Sequence, residues 1–376
     1  MSESRNVVIL GASYAGLSAA HYFLKHVLPG LPKNGNYHIF LEIAPGFKKY
    51  PSNVFTFVQG KATAMDTNAR TVTISRTHGG EEVLPYHALI LATGTKTGAH
   101  EETQSALSEF HTEISKAKSI VVVGGGPAGV ETAGEIGEFL NGAAGWFSSK
   151  PAHPKASIKL VVGGNKMLPI LRESLSKQAE VLLNRVGVDV IYDAKMERTE
   201  KLADGRTKIL LDNGKALEAD VYVPAMGVVP MTEYVPKELL NAKGYVKTNA
   251  VTLRVDEAGP CVYTAGDVSS ATRGGIMDMY EAMPVLMTNL KRDLLAAAKD
   301  PNGKPTGPDR TFKASTAESQ LVPVGRSKGV GAFNGNKLPS IMVYMIKGRD
   351  YMNSAAVQVV TGSKWEKEKG WKPTDG

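Results

Sequence analysis

The chain has 376 residues, a formal charge of +7 at neutral pH and one cysteine, Cys261. This length suits two or three domains, and no apolar run reaches the roughly twenty residues that a transmembrane helix needs. A single cysteine excludes an internal disulfide, a cysteine-only metal site and a CxxC redox pair. A reducing compartment is therefore expected, with a cytoplasmic location.

The positive charge is concentrated in the last quarter of the chain. From Lys291 to Gly376 there are 15 lysines and arginines against 8 aspartates and glutamates. Because the two signs are interleaved, the pattern favours a solvated surface, and binding to nucleic acid is not expected. A peripheral contact with an anionic membrane stays open as an alternative.

The first predicted strand, Asn6–Leu10, leads into Gly11-Ala-Ser-Tyr-Ala-Gly16 and a helix to about His26. This spacing is that of the dinucleotide-binding fingerprint, with Ser13 at the middle glycine position. Ser13 is small enough to let a phosphate approach the backbone, and its hydroxyl can donate a hydrogen bond. The next strand, Tyr37–Leu41, ends at Glu42, which is either an acceptor for an adenosine ribose or a solvated charge.

Residues 43–53 provide only a short link to the next predicted strand, Val54–Val58. Residues 55–59 and 70–74 alternate in polarity, and Asp66-Thr-Asn68 between them predicts the turn of an antiparallel meander. The buried strand that follows ends at Thr93 and Gly94, in a turn of small residues that can pass close under a cofactor.

A second and more complete fingerprint, Gly124-x-Gly126-x-x-Gly129, follows the apolar strand Ile120–Val123. A helix from about Ala128 to Leu140 comes next, so phosphates would lie at its positive end. Gly124 makes the tight turn, Gly126 admits a pyrophosphate and Gly129 allows close packing of helix and strand. Two such motifs predict two dinucleotides, with electron transfer between them.

The next strand, Ile158–Val162, ends in Gly163-Gly-Asn-Lys166, where the usual acidic residue is missing. Without a carboxylate to hold a 2′-hydroxyl or repel a 2′-phosphate, the sequence does not separate NADH from NADPH. Lys166 is either a contact for the 2′-phosphate or an ordinary exposed lysine.

Later in the chain, Thr264-Ala-Gly-Asp267 presents a carboxylate close to a helix start. Asp267 can hold a ribityl hydroxyl of a flavin, or it can simply cap the helix. In the helix predicted over Met279–Ala298, the methionine stripe is expected in the core. The segment Lys364–Trp371 is expected to be frayed and polar.

The order of these motifs resembles the two-dinucleotide flavoproteins, the class of glutathione and thioredoxin reductases. The sequences around Gly16 and Gly129 more closely resemble the apoptosis-inducing-factor-like branch. The tail segments 321–331 and 346–350 are similar to its ferroptosis-suppressor type, particularly to the fungal members.

The resemblance implies an α/β fold with two Rossmann-like dinucleotide-binding domains and a small C-terminal region. The FAD domain, residues 1–98 and 236–300, is split by an inserted NAD(P)H domain, 99–235, and the C-terminal region is 310–376. The residues implied for FAD are Gly11, Ser13, Tyr14, Ala15, Gly16, Glu42, Thr93, Gly94, Gly266 and Asp267. Those implied for NAD(P)H are Gly124, Gly126, Pro127, Ala128, Gly129 and Glu131, with Glu131 close to the nicotinamide or simply a favourable charge near the helix start.

Members of this branch reduce quinones, often at membranes and without cysteines, so a quinone-like acceptor is implied. No metal ligand and no protein acid or base is assigned. The chain departs from the family pattern after Glu42, where the family normally has a longer segment that reaches over the flavin. An alternative hypothesis is therefore a truncated, non-catalytic NAD(P)H-binding protein that has lost stable FAD binding.

Overall fold

The computed structural model describes residues 5–27, 37–40, 44–51, 53–96, 104–300 and 303–367. The chain divides into two compact units. The first unit comprises Met1–Lys96, Val229–Ser315 and Ser354–Gly376, and the second comprises Thr97–Val228 and Thr316–Asn353. Each unit contains a parallel sheet with helices packed on it, which confirms the predicted α/β fold with two Rossmann-like folds.

The elements are numbered in chain order. The strands are β1 Arg5–Leu10, β2 Tyr37–Phe40, β3 Gly60–Asp66, β4 Thr71–Arg76, β5 Glu81–Pro85, β6 Ala88–Leu91, β7 Thr95–Lys96, β8 Ser119–Val123, β9 Ser157–Val161, β10 Val188–Ile191, β11 Met196–Lys201, β12 Thr207–Leu211, β13 Ala216–Ala219, β14 Val221–Pro224, β15 Val229–Pro230, β16 Val262–Thr264, β17 Gln320–Val324, β18 Lys328–Phe333 and β19 Asn336–Lys337. The helices are α1 Tyr14–Tyr22, α2 Ala44–Phe47, α3 Gln104–Lys116, α4 Pro127–Asn141, α5 Glu173–Arg185, α6 Ile276–Lys299, α7 Ser340–Val343 and α8 Asn353–Val360. In the described part of the chain, none of these helices is both long enough and apolar enough to span a membrane.

The first unit is built on a four-stranded parallel sheet in the order β16-β6-β1-β2. Alternate residues of β1 face opposite ways. Val7 and Ile9 pack with α1 and α6, and Val8 and Leu10 pack with the antiparallel sheet β3-β4-β5. Because both faces are covered, β6 is buried along its whole length, as its unbroken apolar sequence requires.

The second unit repeats this plan with the parallel sheet β10-β9-β8-β14. One face packs on α4 and α5, and the other packs on the antiparallel sheet β11-β12-β13. The tail, Thr316–Asn353, adds a three-stranded antiparallel sheet, β17-β18-β19. Its side chains Val322, Val324 and Val330 join the α4 and α5 core. The tail sheet therefore lies on the helix that follows the second glycine motif.

The predicted strand Val54–Val58 is wrong. Only Thr56 makes a bridge there, and the meander begins instead at β3, which pairs with β4 from Gly60↔Arg76 to Asp66↔Thr71. The turn was placed correctly, because Asp66 Oδ1 accepts hydrogen bonds from the backbone N–H groups of Asn68 and Ala69. Phe55 instead stacks on Phe47 of α2, with ring centroids 4.5 Å apart.

Two expectations for the end of the chain have different outcomes. The methionine stripe of α6 is confirmed as core, since Met279, Met283 and Met287 are buried. The frayed, polar segment at 364–371 is wrong for Trp365, which is 3% exposed and packs edge-on against Tyr22 and Tyr280. Burial of a large aromatic ring outweighs the polarity of its neighbours.

Candidate dinucleotide sites

Both glycine loops begin with the same backbone geometry. Gly11 follows β1 with φ 119°, and Gly124 follows β8 with φ 134°. A Cβ on either residue would overlap a backbone carbonyl oxygen, that of Ala92 after β6 or that of Ala225 after β14. Each loop therefore lies directly on the end of the neighbouring parallel strand, a close approach that only glycine allows.

The helix that follows each loop begins in an equivalent way. A Cβ on Gly16 would overlap the carbonyl oxygen of Gly11, and one on Gly129 would overlap that of Gly124. Ser13 and Gly126 are the N-cap residues of α1 and α4, and neither helix has a side-chain hydrogen bond at its cap. The first N–H groups of both helices thus keep their capacity to bind phosphate oxygens.

The two loops differ at the middle position. Nothing lies within 4 Å of a Cβ built on Gly126. The open space in front of Gly126 is consistent with an approaching pyrophosphate, and Ser13 offers a hydroxyl at the corresponding point of the first loop.

In the first unit, the other described residues implied for FAD lie at the edge of the sheet that carries Gly11. Thr93 and Gly94 follow β6, and Gly266 and Asp267 follow β16, so the carboxyl ends of three adjacent parallel strands meet there. Gly266 lies against the first turn of α1, where its Cβ would be 2.6 Å from that of Ala15. Tyr14, at the start of α1, packs against the core of the unit. Glu42 lies outside the described residues.

Two of these side chains already have protein partners. Thr93 Oγ1 donates to the carbonyl oxygen of Met231 at 2.7 Å and lies 3.2 Å from the hydroxyl of Tyr234. Asp267 Oδ1 accepts from the backbone N–H of Gly275, the N-cap residue of α6, at 2.8 Å. One carboxylate oxygen of Asp267 is therefore already hydrogen-bonded to the backbone just before α6.

A cavity of about 520 Å³ borders the first glycine loop. Its size is within the range of small-molecule sites. The lining includes Gly11, Ala12, Val58, Gly60, Lys61, Thr93 and Tyr234. The glycine loop, the uncapped helix start and the cavity together fit a nucleotide cofactor.

A groove of about 360 Å³ borders the second glycine loop. Its lining includes Gly124, Gly125, Gly126, Gly163, Lys195, Met196 and Met226. The ammonium of Lys166 donates a hydrogen bond to the carbonyl oxygen of Leu171 at 2.6 Å. The side chain of Lys195 instead packs against Gly163, where the acidic residue is missing. Sequence reasoning missed Lys195 because it follows β10, whereas the acidic residue of the fingerprint is expected directly after β9.

Glu131, on the first turns of α4, forms an ion pair with a lysine of the tail. Lys347 Nζ donates to Glu131 Oε1 at 2.5 Å and to the carbonyl oxygen of Leu321 at 3.2 Å. The Glu131 and Lys347 side chains are 14% and 23% exposed. Burial raises the pKa of Glu131, and the ammonium of Lys347 opposes that rise.

The tail is attached to α4 at two further acidic residues. Tyr351 donates its hydroxyl proton to Glu135 Oε1 at 2.9 Å, and Glu138 Oε2 accepts from the backbone N–H of Arg326 at 2.7 Å. Glu131, Glu135 and Glu138 follow helical spacing, so one face of α4 meets the tail. Sequence reasoning identified the segment 346–350 by resemblance but missed the role of Lys347, because the contact joins residues far apart in the chain.

Comparison with known proteins agrees with this architecture. The family described as pyridine nucleotide-disulphide oxidoreductase matches residues 23–284. Oxidoreductase phnG of Penicillium herquei is 40% identical over 411 positions, which cover 97% of this chain and 98% of that protein. Ferroptosis suppressor protein 1 of Mus musculus is 25% identical over 385 positions, with 93% and 94% covered. The predicted resemblance to ferroptosis-suppressor-type oxidoreductases is confirmed.

A solved structure shares the fold. The NAD-dependent persulfide reductase from A. fulgidus superimposes with a TM-score of 0.60 at 20% identity, covering 88% of this chain and 64% of that one. The alignment with the Penicillium protein is longer than the 376 residues of this chain, so that relative contains residues without a counterpart here. The chain therefore belongs to the pyridine nucleotide-disulphide oxidoreductase family, whose members are enzymes that use FAD and NAD(P)H.

Proposed function

We propose that this protein passes a hydride from NAD(P)H to FAD and then reduces a quinone-like small molecule. The observation that carries the proposal is the repeated glycine-loop geometry, once in each compact unit. When bound, FAD supplies the redox centre between the nicotinamide and the acceptor, and the protein supplies binding and orientation.

We assign FAD to the first unit. Gly11, Ser13 and Gly16, with the neighbouring Tyr14 and Ala15, would hold its phosphates at the start of α1. Thr93, Gly94, Gly266 and Asp267, at the ends of β6 and β16, would line the rest of the site. Predicted FAD-domain boundaries of 1–98 and 236–300 remain part of the proposal, as does ribose binding by Glu42.

We assign NAD(P)H to the second unit, within the proposed domain 99–235. Its pyrophosphate would lie on Gly124, Gly126, Pro127, Ala128 and Gly129, at the uncapped start of α4. Glu131 would accept a hydrogen bond from the nicotinamide carboxamide, and an ionised carboxylate accepts more strongly than a protonated one. Lys347, from the proposed C-terminal region 310–376, would keep the carboxylate ionised and fixed in position.

The proposed acceptor is a small molecule rather than a disulfide. Cys261 is the one cysteine in the sequence, it is 3% exposed, and burial raises the pKa of its thiol to about 12. A buried, protonated thiol without a second cysteine does not support dithiol chemistry. Similarity to ferroptosis suppressor protein 1, and the quinone chemistry implied for its branch, support a quinone-like acceptor.

A second candidate is a protein that binds NAD(P)H without flavin. It is favoured by the region after β2, where residues 54–58 form no strand and α2 packs directly under α1. In this case the second unit would keep its function while the first would serve only as a scaffold.

The visible absorption spectrum of the purified protein, alone and after incubation with FAD, distinguishes these candidates. We expect a flavin band that bleaches under anaerobic NADH or NADPH and returns when a soluble quinone is added. A protein that takes up no flavin, yet binds NADPH in calorimetry, would contradict the enzyme proposal and support the second candidate. A bleached flavin that no quinone reoxidises would contradict the proposed acceptor alone.

A further inference from the structure

The connection between α4 and β9 carries two fully exposed aromatic side chains. Trp146 is 95% exposed and Phe147 is 105% exposed. Adjacent large apolar residues without any cover are unusual on a soluble surface and mark contact sites. Neither residue has a place in the proposed redox function.

The turn that carries them is held by hydrogen bonds rather than left loose. The guanidinium of Arg185, at the end of α5, donates to the carbonyl oxygens of Ala144, Gly145 and Ser148 at 2.8 to 3.1 Å. The backbone of Ala144 also donates to the carbonyl oxygen of Arg185 at 2.7 Å. Because the backbone of the turn is fixed at both ends, little backbone entropy is left to lose when the two rings bind a surface.

The surroundings of the two rings are basic. Residues 142–157 contain Lys150, His153 and Lys155 and no acidic residue. A pocket of about 290 Å³ is formed by the end of this connection together with neighbouring segments, and three lysines contribute to it: Lys118, Lys150 and Lys155. Asp189 is the one acid among its lining residues, and it pairs with Lys150 at 2.5 Å.

The pocket and the rings lie away from the cofactor groove. Lys118 precedes β8, Ala156 precedes β9 and Gly187 precedes β10, so the pocket is at the amino ends of these parallel strands. Gly124 follows β8 at the opposite edge of the same sheet. A contact at the amino edge would therefore leave the nucleotide groove open.

We propose that Trp146 and Phe147 insert into the interface of an anionic phospholipid bilayer, with lipid phosphates drawn to the lysine pocket. Trp favours the membrane–water interface, and lysines beside it are attracted to anionic lipids. Two aromatic rings bury about 150–250 Å² each, well below the roughly 800 Å² per partner of a stable protein interface. The small area and the positive charge favour a lipid surface over a protein partner.

The test compares sedimentation of the full-length protein with phosphatidylcholine vesicles and with equimolar phosphatidylcholine–phosphatidylserine vesicles. We expect binding to the anionic vesicles, reduced about tenfold or more in Trp146→Ser/Phe147→Ser. Phe333→Ser is the matched control, because Phe333 is an exposed aromatic residue of the tail sheet at 45% exposure. The double variant should fold, since both replaced side chains are exposed, and circular dichroism checks this.

Two further measurements keep the roles of the rings and the lysines separate. Brominated lipids should quench the fluorescence of Trp146. The part of the quenching that belongs to Trp146 is the difference between the wild type and the double variant, which lacks this ring. Lys118→Gln/Lys155→Gln should weaken binding to anionic vesicles and reduce its salt sensitivity. The proposal is overturned if neither vesicle type binds, if the double variant binds like the wild type, or if light scattering shows that the rings mediate self-association instead.

Discussion

At the scale of single residues, Gly126 separates folding from nucleotide binding. A methyl group there would meet no protein atom within 4 Å, and φ at this residue is −77°, which alanine also adopts. Gly126→Ala should therefore fold normally but raise the KM for NAD(P)H about tenfold or more, because the new Cβ would stand where the pyrophosphate approaches. Thermal melts and steady-state kinetics measure the two effects.

Gly145→Ala is the matched control for this substitution. Gly145 also has open space around its Cβ position, but it lies in the connection between α4 and β9, away from the groove. The control should leave both the melting temperature and the KM unchanged. Equal KM values for the two variants would contradict phosphate binding at Gly126.

Lys195 is the residue we expect to influence the choice between NADH and NADPH. It lines the groove beside Gly163, where dinucleotide sites usually carry an acid, and a lysine there attracts a 2′-phosphate. Lys195→Glu should lower kcat/KM for NADPH about tenfold relative to NADH, because a carboxylate would repel the phosphate and accept from a 2′-hydroxyl.

Lys166→Ala is the control for this charge reversal. The ammonium of Lys166 is held by the carbonyl oxygen of Leu171, so its loss should leave the NADPH to NADH ratio unchanged. A changed ratio in Lys166→Ala but not in Lys195→Glu would show that the lysine first noticed in the sequence is the relevant one.

At the scale of elements, the tail matters because it places Lys347 against α4. Burial raises the pKa of Glu131 and the ammonium of Lys347 lowers it, so Lys347→Met should let that pKa rise further. The carboxylate would then be protonated at a higher pH. The acidic limb of the kcat/KM profile for NAD(P)H should therefore move to higher pH.

Two variants accompany this pH profile. Lys337→Met removes an exposed lysine of the same tail sheet and should leave the profile unchanged. Glu131→Gln should raise the KM and remove the shift that Lys347→Met causes. A Lys347→Met enzyme with the wild-type profile would contradict the proposed role of the ion pair.

The segment after β2 and the end of the chain meet at a buried histidine of α1. His21 is 0% exposed, accepts from the hydroxyl of Tyr50 at 2.9 Å and donates from Nε2 to the carbonyl oxygen of Val360 at 3.0 Å. Its ring stacks on that of Phe47, with the ring centroids 4.0 Å apart. Burial lowers its pKa to about 4, and the ammonium groups of Lys49 and Lys25 lower it further.

This pKa predicts a loss of stability in mild acid. Because the folded pKa is lower than the ordinary 6.5, the stabilisation is complete above pH 6.5 and falls as the pH drops towards 4. Full protonation of His21 lowers the free energy of unfolding by about 3 kcal/mol. Between neutral and mildly acidic pH, the melting temperature should fall more steeply for the wild type than for His21→Gln. Burial also lowers the pKa of His87, which contributes equally to the decline in both proteins. Equal slopes would contradict this role of His21.

At the scale of the whole molecule, the two glycine loops belong to different compact units. We therefore expect that a substitution in one loop changes the affinity for one nucleotide only. Gly16→Ala would force α1 away from Gly11 and should abolish the flavin band. Its Kd for NADPH in calorimetry should stay within about twofold of the wild type, because Gly16 shares no contact with the phosphate-binding loop of the second unit. Gly126→Ala should retain the flavin band. Loss of both nucleotides in either variant would contradict independent sites.

The parts of the fold that local sequence encodes were predicted well. Each glycine loop is a short strand, a tight turn and a helix start. Its first glycine is needed for the contact with the next parallel strand, and its last glycine is needed for the contact with the loop itself. The helix α4 and the turn at Asp66 follow from the same kind of short-range pattern. The predicted strand Val54–Val58 failed because Phe55 packs on Phe47 of α2 instead of continuing a ladder, a choice that polarity alternation does not reveal.

The sequence alone therefore determined the two dinucleotide folds and the family, because glycine spacing and buried apolar strands impose their geometry locally. Tertiary structure decided which charged groups meet. It brought Lys347 to Glu131 across 216 positions, engaged Lys166 with a carbonyl oxygen and left Lys195 in the groove. It also buried Trp365 while exposing Trp146, two residues of one type with opposite environments. Such outcomes depend on packing between distant segments, for which no short sequence pattern carries a signal.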